Sequence, residues 1–339
     1  MKISDLGEFG LIERIRRTAA RDAKRVLVGI GDDAAALALA PASTLLATTD
    51  MLLEGVHFDL GTTDLSSLGW KSAAVNLSDI AAMGGTPRFC LTSLGLPASL
   101  TAEGVAELYR GLNACLKRYR TALAGGDTCR SRTGLVISIT LLGEAAKGRA
   151  VTRSGARPGD LLFVTGTLGD SAAGLELLRA RGKGQGARGR EEEKKLIERH
   201  LRPMPRVSEG MLLAGVASAM IDVSDGLSSD LAHLCEQSGV GAEVLADRVP
   251  LSKELRSVRG FTRPAAEYAL SGGEDYELLF TVPRAKLGRL RSLRIKATEI
   301  GSITRGRTVM LVEVGRKRPL PPSGYDHFRT VPRSTRPRR

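Results

Sequence analysis

Acidic side chains recur at the ends of apolar runs in this chain. Six stretches end an apolar run in small residues followed by aspartate or glutamate, at 29–35, 47–50, 76–79, 123–128, 221–226 and 271–277. Glycine beside such a carboxylate lets the backbone approach a ligand closely. Carboxylates repel phosphates, so several of them around a phosphate site require hard cations, of which Mg²⁺ fits best. A turn explains any one motif, but six together favour a metal site.

The 47–50 stretch places Thr48 and Asp50 on one face of a predicted strand, because alternate strand residues share a face. Thr49 points the other way and offers its backbone or, at the strand end, its hydroxyl. The sequence therefore predicts oxygen ligands from one strand end.

The 221–226 stretch repeats this arrangement with Asp222 and Ser224 on one face. Asp225 follows at a turn, before Gly226 and a helix predicted to begin near Leu227. For Asp225 taken alone, a helix N-cap is the better explanation.

Asn76 and Asp79 lie three residues apart in a predicted helix that is apolar over most of its circumference. Residues at this spacing share a helix face. Burying an ionised aspartate there is costly without a cation or several donors. Asp79 is therefore the sharpest single prediction of a metal ligand.

Basic and glycine-rich segments are candidate contacts for the phosphate groups of a ligand. The guanidinium of Arg153 fits phosphate oxygens, although a solvated surface arginine explains it equally well. The 166–174 segment opens a helix at Ser171 and is a candidate anion site, but it lacks the lysine of a Walker A loop. His57 is a candidate substrate contact, with an ordinary structural histidine as the alternative.

Length and composition favour two domains, since 339 residues exceed the usual size of one core and 42% are hydrophobic. The glycine- and proline-rich segment 147–160 marks the predicted boundary. We expect an N-terminal domain at 1–146 and a C-terminal α/β domain at 147–329. A basic tail at 330–339 follows.

The formal charge of +13 raises nucleic acid or a membrane as partners. Much of the excess lies in the 329–339 tail and the 179–190 segment, and aromatics are only 4%, so no specific nucleic-acid binding is expected. Four cysteines without paired spacing favour reduced thiols. Without a signal-like N-terminus or membrane-length apolar run, the expected location is the cytoplasm.

Hydrophobic periodicity predicts a mixed α/β chain. The predicted helices are 6–19, 68–83, 102–119, 171–181, 194–201, 206–216 and 227–237. The predicted strands are 26–30, 44–49, 88–96, 135–143, 161–165, 220–223, 276–282 and 309–314.

A series of motifs occurs along residues 7–328 in this order: GIGDDAA, TTD with GVHF, KSAAVNLSDIAAMGG, GGDT, TRSGARPGD, TGTLGDSAAGL, RHLRPMPR, IDVSDGLSSDL, LSGGEDYELLFTV and GYDHF. Together these motifs strongly resemble the thiamine-monophosphate kinase family. Shorter forms of the acidic motifs also occur in aminoimidazole-ribonucleotide synthetase, selenophosphate synthetase and a hydrogenase-maturation protein. The combination of GVHF, IDVSDGLSSDL, SGGEDYEL and GYDHF narrows the resemblance from this superfamily to the thiamine-monophosphate kinases.

The resemblance implies two mixed α/β domains of α+β type, with the N-terminal sheet forming a barrel across a homodimer and the C-terminal sheet flanked by helices. ATP and thiamine monophosphate would bind between the domains. The implied metal ligands are Asp33, Thr48, Thr49, Asp50, Asp79, Asp127, Asp222 and Asp225, with Asp32 close by. The implied ATP contacts are Gly126, Arg153, Ser224 and Tyr109, and the implied thiamine contacts are His57, Glu274 and Tyr325.

The implied reaction is direct, Mg²⁺-assisted phosphoryl transfer from ATP to thiamine monophosphate, without a covalent nucleophile. Other ATP-using members of the superfamily are the first alternative. Selenophosphate synthesis would require a reactive cysteine near the N-terminus, whereas the first is Cys90, and hydrogenase maturation would require a C-terminal cysteine, which the tail lacks. A basic scaffold that binds nucleic acid through its tail is the non-enzyme alternative.

Overall fold

The computed structural model describes residues 3–19, 24–28, 30, 35–181 and 190–324. Its helices are α1 (Ile3–Thr18), α2 (Leu65–Ala82), α3 (Ala102–Arg118), α4 (Asp170–Arg181), α5 (Glu191–Leu201), α6 (Val207–Leu213), α7 (Leu227–Ser238), α8 (Lys253–Ser257), α9 (Ala265–Ser271) and α10 (Leu287–Ser292). Its strands are β1 (Val26–Val28), β2 (Ala36–Leu37), β3 (Ser43–Leu53), β4 (Thr86–Pro97), β5 (Ala122–Ser131), β6 (Val136–Ala146), β7 (Leu161–Thr165), β8 (Ala219–Asp222), β9 (Gly241–Leu245), β10 (Leu278–Val282), β11 (Ala297–Thr304), β12 (Val309–Glu313) and β13 (Arg316–Pro319).

The first large sheet has four strands in the order β3-β6-β4-β5, and only β4 and β5 are parallel. Side chains of β3 alternate as a half-covered strand requires. Leu46 and Leu52 are buried in the core, while Leu45 and Met51 are 48% and 55% exposed on the other face. In the described part of the chain β3 and β5 remain unpaired edges, so one copy of this sheet is open.

Helix α2 packs against the four-stranded sheet, against α3, and against β8 of the second large sheet. Fourteen of its eighteen residues are buried, as its nearly continuous apolar sequence predicts. Glycine permits the close crossing with α3, because a Cβ on Gly111 would lie 1.7 Å from the Ser66 carbonyl oxygen. Asp79 is therefore carried on a helix enclosed by both halves of the molecule.

The second large sheet has seven strands in the order β13-β12-β9-β11-β7-β10-β8. Its interior strand β7 is buried on both faces, which explains its continuous apolar sequence. Phe163 stacks on Phe280 of β10, with ring centroids 5.6 Å apart, in the core shared with α2. Leu162 and Val164 face the opposite way, into a core shared with α7. The layers are thus sheet, helices, sheet and helices.

A buried ion cluster anchors the segment after α5 to the seven-stranded sheet. Glu277 is fully buried, and its carboxylate accepts two hydrogen bonds of 2.6 Å from Arg206 and one of 2.8 Å from Arg199. Thr165 of β7 donates a further hydrogen bond of 2.7 Å. A buried carboxylate with this many charge-assisted donors is strongly held.

The same segment is tied to the helices of the N-terminal half. The indole Nε1 of Trp70 donates to the Pro203 carbonyl at 2.8 Å, and the Tyr119 hydroxyl donates to the Pro205 carbonyl at 3.0 Å. Residues 199–206 therefore join α2 and α3 to the sheet that carries Glu277.

The predicted helices and strands are all present within the described residues, with shifted ends. The sequence periodicity missed the strands β2, β5, β9, β11 and β13 and the helices α8, α9 and α10. The chain leaves the four-stranded sheet at Ala146 and enters the seven-stranded sheet at Leu161. None of the described helices combines the length and apolar character needed to cross a bilayer.

Candidate active site

Three carboxylates from three elements converge where α2 lies between the sheets. Asp50 comes from β3, Asp79 from α2 and Asp222 from the end of β8. Thr48, on the same strand face as Asp50, donates from Oγ1 to Asp79 Oδ2 at 2.5 Å. Ser78 donates from Oγ to Asp222 Oδ2 at 2.7 Å. The predictions that Thr48 and Asp50 share a face of β3 and that Asp79 lies within a helix are confirmed, with Asp79 in the last turn of α2.

Burial and mutual repulsion disfavour ionisation of these groups. Burial, reinforced by the charge of Asp79, raises the pKa of Asp50 to about 6 and that of Asp222 to about 7. Burial also raises the pKa of Asp79, against the lowering effects of the Thr48 hydrogen bond and the Arg153 charge. Arg153 also lowers the pKa of Asp222, so the structure places this predicted phosphate contact close enough to act on both carboxylates.

The loop after β8 is organised by a residue that the sequence analysis did not select. Asp230 of α7 is 2% exposed, and its Oδ2 accepts hydrogen bonds from the backbone N–H groups of Ser224, Asp225 and Gly226 at 3.0–3.1 Å. Gly226, not Asp225, is the N-cap of α7. Asp225 is therefore not used as the cap. Asp230 lies within the IDVSDGLSSD stretch, five residues after Asp225. This spacing is the sequence signal that could have identified it.

Thr49 faces away from this cluster, donating from Oγ1 to the Ile139 carbonyl at 3.1 Å and accepting from Thr140 at 3.2 Å. Asp127 and Gly126 lie farther off, on β5 at the opposite sheet edge. Two strands separate β3 from β5, so these edges are about 14 Å apart at about 4.8 Å per spacing. The structure does not bring Asp127 to the other carboxylates of the same chain.

Gly126 has a structural explanation in the sheet itself. A Cβ at this position would lie 2.1 Å from the Thr92 carbonyl oxygen on β4. Tyr109 is 4% exposed in the core, where burial and then Cys90 raise the pKa of its hydroxyl. Asp32, Asp33 and Tyr325 lie outside the described residues.

Two predicted substrate contacts, His57 and Glu274, lie near each other. His57 accepts a hydrogen bond at Nδ1 from the Leu53 N–H at 3.0 Å, and its charge helps to lower the pKa of Glu274. Tyr276 is close enough to Glu274 and to the metal-site candidates for their charges to act on it. Burial and then the charges of Glu274, Asp222, Asp50 and Asp79 raise its pKa. The Tyr276 side chain is 6% exposed, and the sequence analysis did not select it.

The candidate anion site at 166–174 is already filled by the protein. The carboxylate of Asp275 accepts from the Gly169 N–H at 2.6 Å and from the Ser171 N–H at 3.2 Å. Asp275 is 3% exposed, and burial raises its pKa to about 8. These donors at the N-terminus of α4 satisfy an internal carboxyl group, so the structure does not support a phosphate site there.

The donors in the described part of the site fit a magnesium ion without forming a closed cage. No three His, Cys, Asp or Glu side chains among the described residues surround a single point as a metal site would. The available atoms are carboxylate and hydroxyl oxygens, which suit Mg²⁺. Mg²⁺ keeps several waters and is commonly held by one or two carboxylates together with substrate phosphates. Asp222, which is buried, and the half-buried Asp50 and Asp79 would gain most from such a cation, because Asp79 opposes the ionisation of the other two.

Comparison with known proteins covers both halves of the chain. Residues 31–145 match the family model of AIR synthase related protein, N-terminal domain, and residues 157–313 match the corresponding C-terminal domain. A thiamine-monophosphate kinase of Aquifex aeolicus (strain VF5) is 40% identical over 333 residues, which cover 97% of this chain and 100% of the relative.

Solved structures show the same similarity. The crystal structure of thiamine-monophosphate kinase from Stenotrophomonas maltophilia K279a has a TM-score of 0.80 and 40% identity, covering 90% of this chain and 96% of that chain. A structure described as AaThiL complexed with AMPPCP and TMP has a TM-score of 0.77 and 40% identity, covering 97% and 99%.

We predict that Asp222→Asn stabilises the metal-free protein at pH 8 and has little effect at pH 4. The folded pKa of about 7 exceeds the unfolded value of about 3.9. The stabilisation from protonated Asp222 is therefore fully present below the unfolded pKa and lost as pH rises through the folded one. Asparagine keeps an oxygen for Ser78 and removes the charge, so we expect a gain on the order of 1–4 kcal/mol.

Urea unfolding with a chelator at both pH values measures this gain. Asp127→Asn is the matched control, because Asp127 is exposed and surface changes cost within about 0.5 kcal/mol. A less stable Asp222→Asn protein at pH 8 would show that the ionised carboxylate makes net favourable contacts.

Proposed function

Because the chain belongs to the thiamine-monophosphate kinase family, we propose that it transfers the γ-phosphoryl group of ATP to thiamine monophosphate. The products are ADP and thiamine diphosphate, which makes it a phosphotransferase of thiamine diphosphate biosynthesis with a phosphate group as acceptor. The convergence of Asp50, Asp79 and Asp222 beside Arg153 carries this proposal, because a reaction between two polyanions needs such a site.

We propose Mg²⁺ as the cofactor. Its ligands would come from the side chains of Asp33, Thr48, Asp50, Asp79, Asp222 and Asp225, from Thr49 through its backbone, and from Asp127 of the second copy in a dimer. When bound, Mg²⁺ would neutralise the phosphates and support their approach. The hydrogen bonds from Thr48 and Ser78 support this assignment, since they orient Asp79 and Asp222 before any ligand arrives.

The reaction needs no strong general base. The acceptor is a phosphate oxygen of thiamine monophosphate, already anionic near neutral pH, which attacks the γ-phosphorus while the bond to the β–γ bridging oxygen breaks. ADP leaves with that electron pair. Arg153 would bind phosphate oxygens, and the loop held by Asp230 would present Ser224 to the nucleotide. The residues therefore position and neutralise the reactants, and direct transfer requires no phosphoenzyme.

The remaining predicted residues are assigned to binding of ATP and of the thiamine portion. We propose that the 1–146 domain binds ATP and Mg²⁺ and that the 147–329 domain completes the active site. Gly126 and Tyr109 would contact ATP, and His57, Glu274 and Tyr325 would hold the thiamine portion. The proximity of His57 to Glu274 supports the second set, whereas the burial of Tyr109 gives no support to its role. We place the enzyme in the cytoplasm.

We propose that the working unit is a homodimer in which the four-stranded sheets join as a barrel. The exposed face with Leu45 and Met51 and the unpaired edges support this association. Asp127 would then complete the partner's site, because it lies at the opposite sheet edge from Asp50 in one chain. A two-fold arrangement would make two such shared sites.

We expect the purified protein with ATP, MgCl₂ and thiamine monophosphate to form ADP and thiamine diphosphate in equal amounts. Chromatography of both products measures the reaction, and a chelator should stop it. Aminoimidazole precursors serve as control substrates and should not be consumed. ADP formation without thiamine diphosphate would contradict the proposal.

We predict that Asp79→Asn and Asp222→Asn each lower kcat by at least about 10²-fold while the fold is kept, since preorganised electrostatic groups contribute on that scale. Product formation at saturating Mg²⁺ measures the effect, and circular dichroism checks the fold. Near-normal turnover in both variants would reject the metal-site assignment.

We predict that Asp50→Asn and Asp127→Asn are each inactive and that co-expressed mixed dimers regain activity. A mixed dimer would keep one of its two sites with both aspartates intact, so mixed dimers isolated with both tags should show about half of the parent activity. Activity of differently tagged, tandem-purified dimers measures this. Full activity of Asp127→Asn alone, or no recovery on mixing, would contradict a shared site.

A further inference from the structure

Lys71 is a buried cation on α2 that the proposed reaction leaves unused. It is 2% exposed, and its Nζ lies 2.7 Å from Glu274 Oε1 and 3.5 Å from His200 Nε2. Burying an ammonium group is costly unless it is paired. The position of Lys71 therefore depends on these two partners, one of which is a proposed substrate contact.

The neighbouring histidine has a defined hydrogen-bonding state. Lysine has only donors, so His200 Nε2, which faces it, must accept. Burial and then the Lys71 charge lower the pKa of His200 to about 3, which keeps the ring neutral. Its hydrogen is therefore on Nδ1, which lies 3.1 Å from Ser171 Oγ and 3.3 Å from Glu274 Oε2. The Nδ1–H of His200 thus donates to Ser171 Oγ, and the ring also faces the second oxygen of Glu274 as an electrostatic contact.

Glu274 is consequently paired with Lys71 at Oε1, faces His200 at Oε2, and is held at its backbone. Its N–H donates to the Ser224 carbonyl at 2.7 Å, and its φ of +65° fixes an unusual backbone conformation for glutamate. Burial opposes ionisation, but Lys71, His200 and His57 outweigh it and lower the pKa of Glu274. Since 31% of the side chain remains exposed, the carboxylate can accept one more donor.

We propose that Lys71 and His200 are positioning residues that fix Glu274 as an oriented carboxylate for the amine-bearing, cationic thiamine portion of the substrate. This inference rests on the proposed function. Both residues act through Glu274 and do not touch the substrate. Lys71 comes from the N-terminal half and His200 from the end of α5, so recognition of the substrate's organic end depends on the docking of the two halves.

The test is a double-mutant cycle on equilibrium binding, because residues acting through one group are non-additive. The variants are Lys71→Met, Glu274→Gln and the pair together. Calorimetry measures the Kd for thiamine monophosphate in the presence of Mg²⁺ and AMPPCP, where no turnover occurs. We expect Lys71→Met and Glu274→Gln each to weaken binding by about 10-fold or more, and the pair to be no weaker than Glu274→Gln within about 2-fold. The Kd for AMPPCP should not change.

Two further variants guard against a simple folding defect. His200→Phe keeps the ring and removes both nitrogens, so thiamine monophosphate binding should weaken while AMPPCP binding is kept. Lys286→Met is the matched control, since this partly buried lysine instead donates to the Gly215 carbonyl and should leave both Kd values unchanged. If Lys71→Met alone does not fold, the neutral pair Lys71→Met with Glu274→Gln should fold and give the same Kd as Glu274→Gln.

Effects of Lys71→Met and Glu274→Gln that multiply in the pair would overturn the inference, as would loss of AMPPCP binding in folded Lys71→Met. Parent protein that binds thiamine monophosphate without phosphorylating it would refute the proposed function and leave the cycle interpretable. Parent protein that does not bind thiamine monophosphate would refute both.

Discussion

Mutual repulsion among carboxylates that are buried or half-buried is the constraint around which this molecule is organised. Asp50, Asp79 and Asp222 come from a strand, a helix and a strand of the other sheet, and each is held where water cannot fully solvate its charge. Folding alone would not favour such an arrangement, since isolated buried charges are costly. The scaffold must hold these groups in place until counterions arrive. Enclosure of α2 by both sheets, with fourteen of eighteen residues buried, provides that rigidity.

Backbone N–H donors and side-chain cations have different partners in this chain. Two loops whose N–H groups suit an anion are filled internally, one by Asp230 and the other by Asp275. These loops are therefore rigid supports for their neighbours. Under the proposed function, recognition of phosphate would be left to Arg153 and to Mg²⁺, which are stronger point charges than backbone dipoles. This division keeps the acidic site geometrically fixed and leaves its charge balance dependent on ligands.

Local patterns predicted the parts of the site that lie within one element. The spacing of Thr48 and Asp50 and the position of Asp79 in an apolar helix are visible in short windows, and the structure confirms both placements. Pairing across the sheet is not visible there. Strand β5 was missed because its glycines and polar residues lack alternation, so the distance of Asp127 from Asp50 was unknown. Lys71 and His200 are 129 residues apart, and only tertiary packing shows that they share Glu274.

The junction between the two sheets contains the chain's single tryptophan. Trp70 donates its indole hydrogen to the Pro203 carbonyl, in a segment held on the far side by Glu277. Its acceptor is a main-chain oxygen, which a side-chain substitution at Pro203 does not remove. Because no other indole contributes background, the intrinsic tryptophan fluorescence of this protein reports directly on whether its two halves are docked.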